Sequence, residues 1–284
     1  MDFSPHLAAL LVLAAAVMHA AWNAMVKASG DRAQALARID LWALLLALAA
    51  TPWVPFPPAR IWPYILASAA LALFYRVLLV AAYNRGDLGQ VYPLMRGAAP
   101  LLLAPLAVIF AGEPLSAAGY TGVALVSAGI LSLVTWSALD RRQLHAVVFS
   151  LLASITIACY TLVDGLGVRA SGDVLMYVVW LEVIEHVPLP AWFLAARRET
   201  PAGLLLRQWK TSMVGAANKL GAYGLVLWAV TLTAIAQVAA LRETSVVIAA
   251  VIGHFLFREP FGRKRILASL LVAAGIVLLQ FGRG

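Results

Sequence analysis

Four basic side chains, Arg76, Arg96, Lys219 and Arg242, stand inside long apolar runs of the sequence. An ionisable group is costly in hydrocarbon, so each is a functional candidate that faces the interior of a helix bundle. An arginine fork matches carboxylate or phosphate, and the set suits an anionic group on a solute. The alternative is internal pairing: Arg242 is followed by Glu243, and Glu182 or Glu185 can neutralise Arg76 or Lys219. Glu182, Glu185 and His186 recur at i, i+3 and i+4, which puts them on one face of a helix. Adjacent carboxylates in a low dielectric hold a proton between them, and imidazole titrates near neutrality. These three residues, with Glu243, are the candidates for proton coupling. Pro188 and Pro190 follow directly and are expected to kink that helix or free its carbonyls. The plainer reading is that the three residues sit at a helix end and neutralise loop arginines.

A second set is more amphipathic. His19, Trp22, Asn23 and Lys27 share a stripe in the first apolar run, and Tyr160 and Asp164 stand four apart in the sixth. Polar groups beside an aromatic suit a site for a small amphipathic solute, with Trp22 able to hold a cation over its ring. Lys27 is expected at the membrane interface. His145 and His254 stand singly, no metal-ligand spacing occurs, and Cys159 has no partner for a disulfide. No metal and no cofactor is expected.

The elements that must position these residues are set by composition. Of 284 residues 63% are hydrophobic and 12% charged, with mean hydropathy +0.90. A soluble domain is roughly 25% charged, so the chain reads as a membrane protein whose constant surroundings are a lipid bilayer. Soluble enzymes and nucleic-acid binders fall away despite the net charge of +8. Spanning runs occur at about 5–26, 35–55, 61–83, 88–111, 116–136, 144–164, 174–196, 211–232, 234–257 and 264–281. They predict ten helices. The first is read as a retained helix and not a signal peptide, because its leading residues carry no lysine or arginine. Pro93, Pro100 and Pro105 predict a bent fourth helix, and Gly119, Gly122, Gly129, Ala268 and Gly275 predict close helix packing.

The chain repeats itself. Val26 to Asp31 matches Val168 to Asp173 at an offset of 142; Arg96 matches Arg242, Glu113-Pro114 matches Glu259-Pro260, and Ala128-Gly129-Ile130 matches Ala274-Gly275-Ile276 at an offset of 146. Two five-helix halves follow, 1–138 and 143–284. An odd helix number makes the second half enter from the opposite side, the inverted repeat of many transporters. The expected fold is an all-α polytopic membrane protein of ten transmembrane helices in two inverted five-helix repeats.

The Gly112-Glu113-Pro114-Leu115-Ser116 and Arg258-Glu259-Pro260-Phe261-Gly262 junctions, the glycine-bearing last helix of each half, and the segments His19 to Asn23 and Tyr160 to Gly165 resemble the EamA family of the drug/metabolite transporter superfamily. The resemblance covers nearly the whole chain. It implies a secondary transporter or exporter of small metabolites with a central site between the halves. Relatives handle amino acids, sugars, nucleotide precursors, drugs and lipid-linked sugars.

There is no phosphate-binding G-x-x-x-x-G-K-[ST] loop, in keeping with gradient-driven transport. The function expected is proton-coupled alternating-access transport of a small metabolite that is amino-acid-like or otherwise anionic or amphoteric. The alternative is a flippase for a lipid-linked sugar or another amphipathic lipid. An intramembrane enzyme would need a nucleophile–base pair that the sequence lacks. Thirteen of the 21 basic residues fall in connections after odd-numbered helices, which puts that end in the cytoplasm of an inner membrane. The partners expected are a small-molecule substrate and lipid, with monomer and homodimer both open.

Overall fold

The computed structural model describes residues 4–86, 88–134, 141–196, 200–257 and 263–281. Among them there is no strand. The helices are α1 (Ser4–Lys27), α2 (Arg32–Ala50), α3 (Trp62–Tyr83), α4 (Leu88–Ala111), α5 (Ala117–Leu131), α6 (Arg141–Ser171), α7 (Val174–Glu185), α8 (Pro188–Ala196), α9 (Pro201–Leu206), α10 (Trp209–Leu232), α11 (Ile235–Arg242), α12 (Thr244–Phe257) and α13 (Arg263–Phe281).

Their boundaries follow local chemistry. The orphan N–H groups at a helix start are met by capping side chains: Asp31 accepts from Gln34 N, Ser116 from Gly119 N, Asp173 from Met176 N and Thr200 from Gly203 N. The expected 174–196 run breaks after Glu185 because Pro188 has no N–H and its ring obstructs the preceding turn. The 234–257 run breaks at Glu243, whose N–H turns back to Ala240 O at 3.2 Å. Helix α4 continues through Pro93, Pro100 and Pro105.

Seven helical stretches among the described residues are long and apolar enough to cross a membrane. They cover the first four, the sixth, the seventh and the eighth of the expected runs. The other three runs give shorter apolar pieces: Ala117–Leu131, the α11–α12 pair and Ile266–Leu279. The 15 residues of α5 rise only about 22 Å against a hydrocarbon core of about 30 Å.

The most extensive helix contacts are α1 with α10, α3 with α6, and α5 with α13. All are antiparallel. Met18 and Met25 of α1 lie against Gly221 and Gly215 of α10, and α3 meets α6 through Tyr64 beside Gly167. Between α5 and α13 the glycines leave no room for a Cβ. A Cβ on Gly275 would sit 2.7 Å from Gly122 O, and one on Gly129 would sit 2.9 Å from Ala268 O. Gly119 instead meets its own chain at Leu115 and Ser116. The main core draws on α1, α3, α4, α5, α6, α7, α10, α11, α12 and α13 around Ile65, Leu103, Tyr177 and Ile235. The outward faces carry exposed Leu10, Phe74, Ile109 and Leu270, as lipid contact requires.

Candidate functional site

Helices α1, α2, α3, α4, α6, α7, α10 and α11 enclose a central cavity of about 340 Å³. Its lining runs from mid-helix residues Ala15, Ala72 and Val226 to Val26, Leu36, Tyr83 and Tyr92, next to the connections rich in arginine and lysine. This is the basic end; the opposite one is the Glu113 end.

Eleven of the thirteen predicted site residues line the cavity; the other two, Glu243 and Asp164, lie behind it, each paired with a lining residue, Arg96 and Tyr223. The first cluster is acid-rich. Asp40 on α2 is fully buried, and its Oδ1 accepts a close hydrogen bond from Lys219 Nζ of α10. Asp40 Oδ2 lies 3.8 Å from Arg76 Nη1 of α3. Arg76 Nη2 donates to Glu185 Oε1 at 2.7 Å, and its Nη1 to Glu185 O at 3.2 Å, a carbonyl at the end of α7. His186 Nδ1 is 2.9 Å from Glu182 Oε2, while its Nε2 faces Asp40 Oδ1 at 3.8 Å and has no hydrogen-bond partner among the described residues. Of the two acids of α7, Glu185 thus meets Arg76 of α3 and Glu182 meets His186.

The second cluster is base-rich. Arg96 Nε on α4 lies 2.8 Å from Glu243 Oε2, and Arg242 Nε lies 3.8 Å from Glu243 Oε1. One carboxylate faces two guanidinium groups. Arg96 and Arg242 are only 6% and 7% exposed, and Arg96 Nη2 and Arg242 Nε have no hydrogen-bond partner among the described residues. Buried arginine nitrogens in that condition are costly unless a ligand meets them.

Aromatic residues separate the clusters. The Tyr75 and Tyr160 rings meet edge to face at 6.2 Å. Lys219 Nζ stands 5.6 Å over the Trp22 ring, and His19 meets the same ring edge-on at 5.2 Å. Trp22 does hold a cation, and that cation is an internal lysine. Asn23 lines the cavity but donates within its own helix to His19 O at 2.7 Å.

Asp164 lies apart. It is fully buried and outside the cavity lining, accepting from Tyr177 at 2.9 Å and from Tyr223 at close range; of the pair, Tyr223 reaches the cavity. Asp40, Tyr75, Tyr83, Tyr92 and Tyr223 were not among the predicted site residues. Asp40 had a signal: the offset of 142 that matches Asp31 to Asp173 also matches Asp40 to Glu182. The side chain of Lys27 lies outside the described residues, as do those of Arg197, Arg198, His254, Glu259 and Pro260. Among the described residues no group of three His, Cys, Asp or Glu side chains is arranged to hold a metal ion.

The model of the EamA-like transporter family matches residues 144–281. This second half of the chain belongs to that family. With seven helices among the described residues long and apolar enough to cross a membrane, and an EamA-like second half, the chain is a multi-pass membrane protein. A solved structure described only as "Crystal structure of protein" superposes with a TM-score of 0.74 over 95% of each chain at 13% identity, a likeness of fold alone. No curated protein matches the EamA-like chain in sequence.

Proposed function

We propose that this chain is a proton-coupled secondary transporter of a small metabolite bearing an anionic group, working by alternating access of two inverted five-helix halves, 1–138 and 143–284, in an inner membrane. The observation that carries the reading is the division of charge in the cavity. Arg96 and Arg242 share one acid, which leaves a positive surplus for the anionic group of a solute. Asp40, Glu182 and Glu185 outnumber Arg76 and Lys219, which leaves one negative charge for a proton shared by Glu182 and His186. An amino-acid-like or other amphoteric solute fits both poles. His19, Trp22, Asn23 and Tyr160 line the space between them as further solute contacts, and Asp164 acts on the site through Tyr223.

Several relations support two inverted halves. The repeat offsets carry the α1–α10 pair onto α6–α3, and both pairs pack extensively. They carry the Gly122–Gly275 contact onto Ala268–Gly129, which is the other close approach of the same helices. Asp31 and Asp173 cap equivalent helices. Counted this way, the shorter α5 and α13 and the broken α7–α8 and α11–α12 pairs complete ten spans.

The test starts with a thermal-shift screen of metabolites on purified protein, followed by uptake of a stabilising solute into proteoliposomes under a pH gradient. Glu182→Gln and Glu185→Gln are expected to abolish pH-driven uptake; unchanged uptake in both rejects proton coupling. Arg96→Met and Arg242→Met are expected to weaken binding at least tenfold, and equal affinity with lower stability rejects the anion site. A flippase requires a lateral opening continuous with the cavity. The surface groove at Val174, Leu175, Val178, Gly224 and Trp228 shares no lining residue with it. Lipid scrambling by the purified protein would overturn the metabolite reading.

A further inference from the structure

At the Glu113 end, one ion pair ties together α6, the α4–α5 connection, the end of α10 and the start of α11. Arg169, near the end of α6, donates from Nε to Val230 O at 3.0 Å, and from Nη2 to Val230 O and Thr233 O, both at 2.8 Å. Those carbonyls belong to the last turn and C-cap of α10, where intrahelical donors run out. Arg169 Nη1 makes a close contact with Glu113 Oε1, in the connection between α4 and α5. The other Glu113 oxygen accepts the backbone N–H of Ile235 at 2.9 Å, the first residue of α11. Ala234, the N-cap of α11, has no side chain to do this, so Glu113 supplies the cap from the other half of the chain.

Burial decides what such a pair is for. The side chains of Arg169 and Glu113 are 30% and 17% exposed, whereas those of Arg96 and Glu243 are 7% and 1% exposed. An ion pair that water partly reaches is cheaper to open than a buried one, which costs several kcal/mol to leave with one partner. The joint it holds begins α11, which carries Arg242 of the cationic cluster seven residues on, about 10 Å along the helix. Among the described residues, none that lines the central cavity lies at this end.

We infer that Glu113 and Arg169 form a latch that closes the Glu113 end, and that its release frees the α10–α11 joint and admits water to the cavity from that side. The sequence repeats the pair: offsets of 142 and 146 relate Arg169 to Lys27 and Glu113 to Glu259, again one residue from each half. The side chains of Lys27 and Glu259 lie outside the described residues, and the latch rests on the contacts of Glu113 and Arg169 alone.

The experiment uses the full chain with Cys159→Ser and a single reporter, Leu79→Cys, at a half-buried position lining the cavity. The probe is a charged, membrane-impermeant methanethiosulfonate, applied from each face of proteoliposomes sorted by the exposure of an N-terminal tag. The parent reporter is expected to react from the basic end and to be protected from the Glu113 end. Glu113→Gln, which keeps an acceptor for Ile235 N but loses the charge, and Arg169→Gln are each expected to raise labelling from the Glu113 end at least tenfold. Arg169→Lys keeps the charge, loses the fork to the two carbonyls and is expected to give a smaller rise, which provides a reading if a glutamine variant fails to fold. Unchanged labelling from the Glu113 end in every variant that folds, or a parent reporter already open from that end, overturns the latch. The readout involves no solute. Absence of metabolite transport therefore rejects the transporter reading and leaves the latch standing, while a latch failure leaves that reading intact.

Discussion

The two charge clusters of the cavity are built from the same side-chain types and balanced in opposite directions. Around α4 and α11, Glu243 serves both Arg96 and Arg242. Around α2, α3, α7 and α10, three acids and His186 surround Arg76 and Lys219. Across the two clusters the formal charges cancel, so composition alone would call the cavity neutral. Separation makes it useful: one pole lacks an anion and the other lacks a proton or a cation, and a solute can complete either without uncovering a charge elsewhere.

The comparison breaks most visibly at Glu243. Glu243→Gln removes the only acid facing two buried guanidinium groups among the described residues. Stranding a buried charge costs about 3–5 kcal/mol, so this variant should show the largest loss of thermal stability of any single change in the cavity. A stabilising organic anion should restore part of that loss, by an amount that grows with its concentration. Thermal unfolding with and without such an anion reads both effects, and a variant as stable as the parent would show that the pole is not short of negative charge.

Asp40 comes next. It touches Lys219 closely and faces Arg76 and His186, so Asp40→Asn should destabilise by about 2–3 kcal/mol. The partner is named by a double-mutant cycle. If Lys219 is the main one, Lys219→Met added to Asp40→Asn should cost at least about 1 kcal/mol less than the sum of the two single changes. Additive effects would transfer Asp40 to Arg76. The close pair also fixes Lys219 over the Trp22 ring, so the fluorescence of Trp22 should change in Asp40→Asn and stay constant in Glu182→Gln.

How much of this was legible in the sequence depends on whether a signal is local. Apolar runs, caps and prolines act within a few residues, and each run of the sequence is helical in the fold. Their lengths were less legible. Residues 116–136 read as a full span, yet α5 stops at Leu131, and Glu243 breaks a helix without a proline or glycine to announce it. The ionisable residues of the site were readable because a charge in an apolar run needs a reason. Asp40 escaped although it is the only acid between 35 and 55, because it lies close to the start of its run, where an interfacial role is equally natural. Pairings were readable only in part: Glu185 meets Arg76, one of the pairs the sequence allowed, whereas Lys219 goes to Asp40. Arg242 precedes Glu243 in the chain, but the closer partner of Glu243 is Arg96, brought to it by the packing of α4 against α11.

The smallest expected effect is the sharpest test. Glu182 and Glu243 are equally hidden, at 2% and 1% exposure, so a view in which burial alone sets the cost predicts similar losses for Glu182→Gln and Glu243→Gln. Charge balance predicts otherwise. Removing Glu182 takes an acid from a cluster that has one too many, leaves Asp40 with Lys219 and Glu185 with Arg76, and lets His186 bond neutrally to the introduced amide. A swap that leaves no buried charge without its partner should cost less than about 1 kcal/mol. A thermal shift for Glu182→Gln as large as that for Glu243→Gln would mean that the Glu182–His186 pair is a structural strut, and the site of the exchangeable proton would then have to be sought at Glu185.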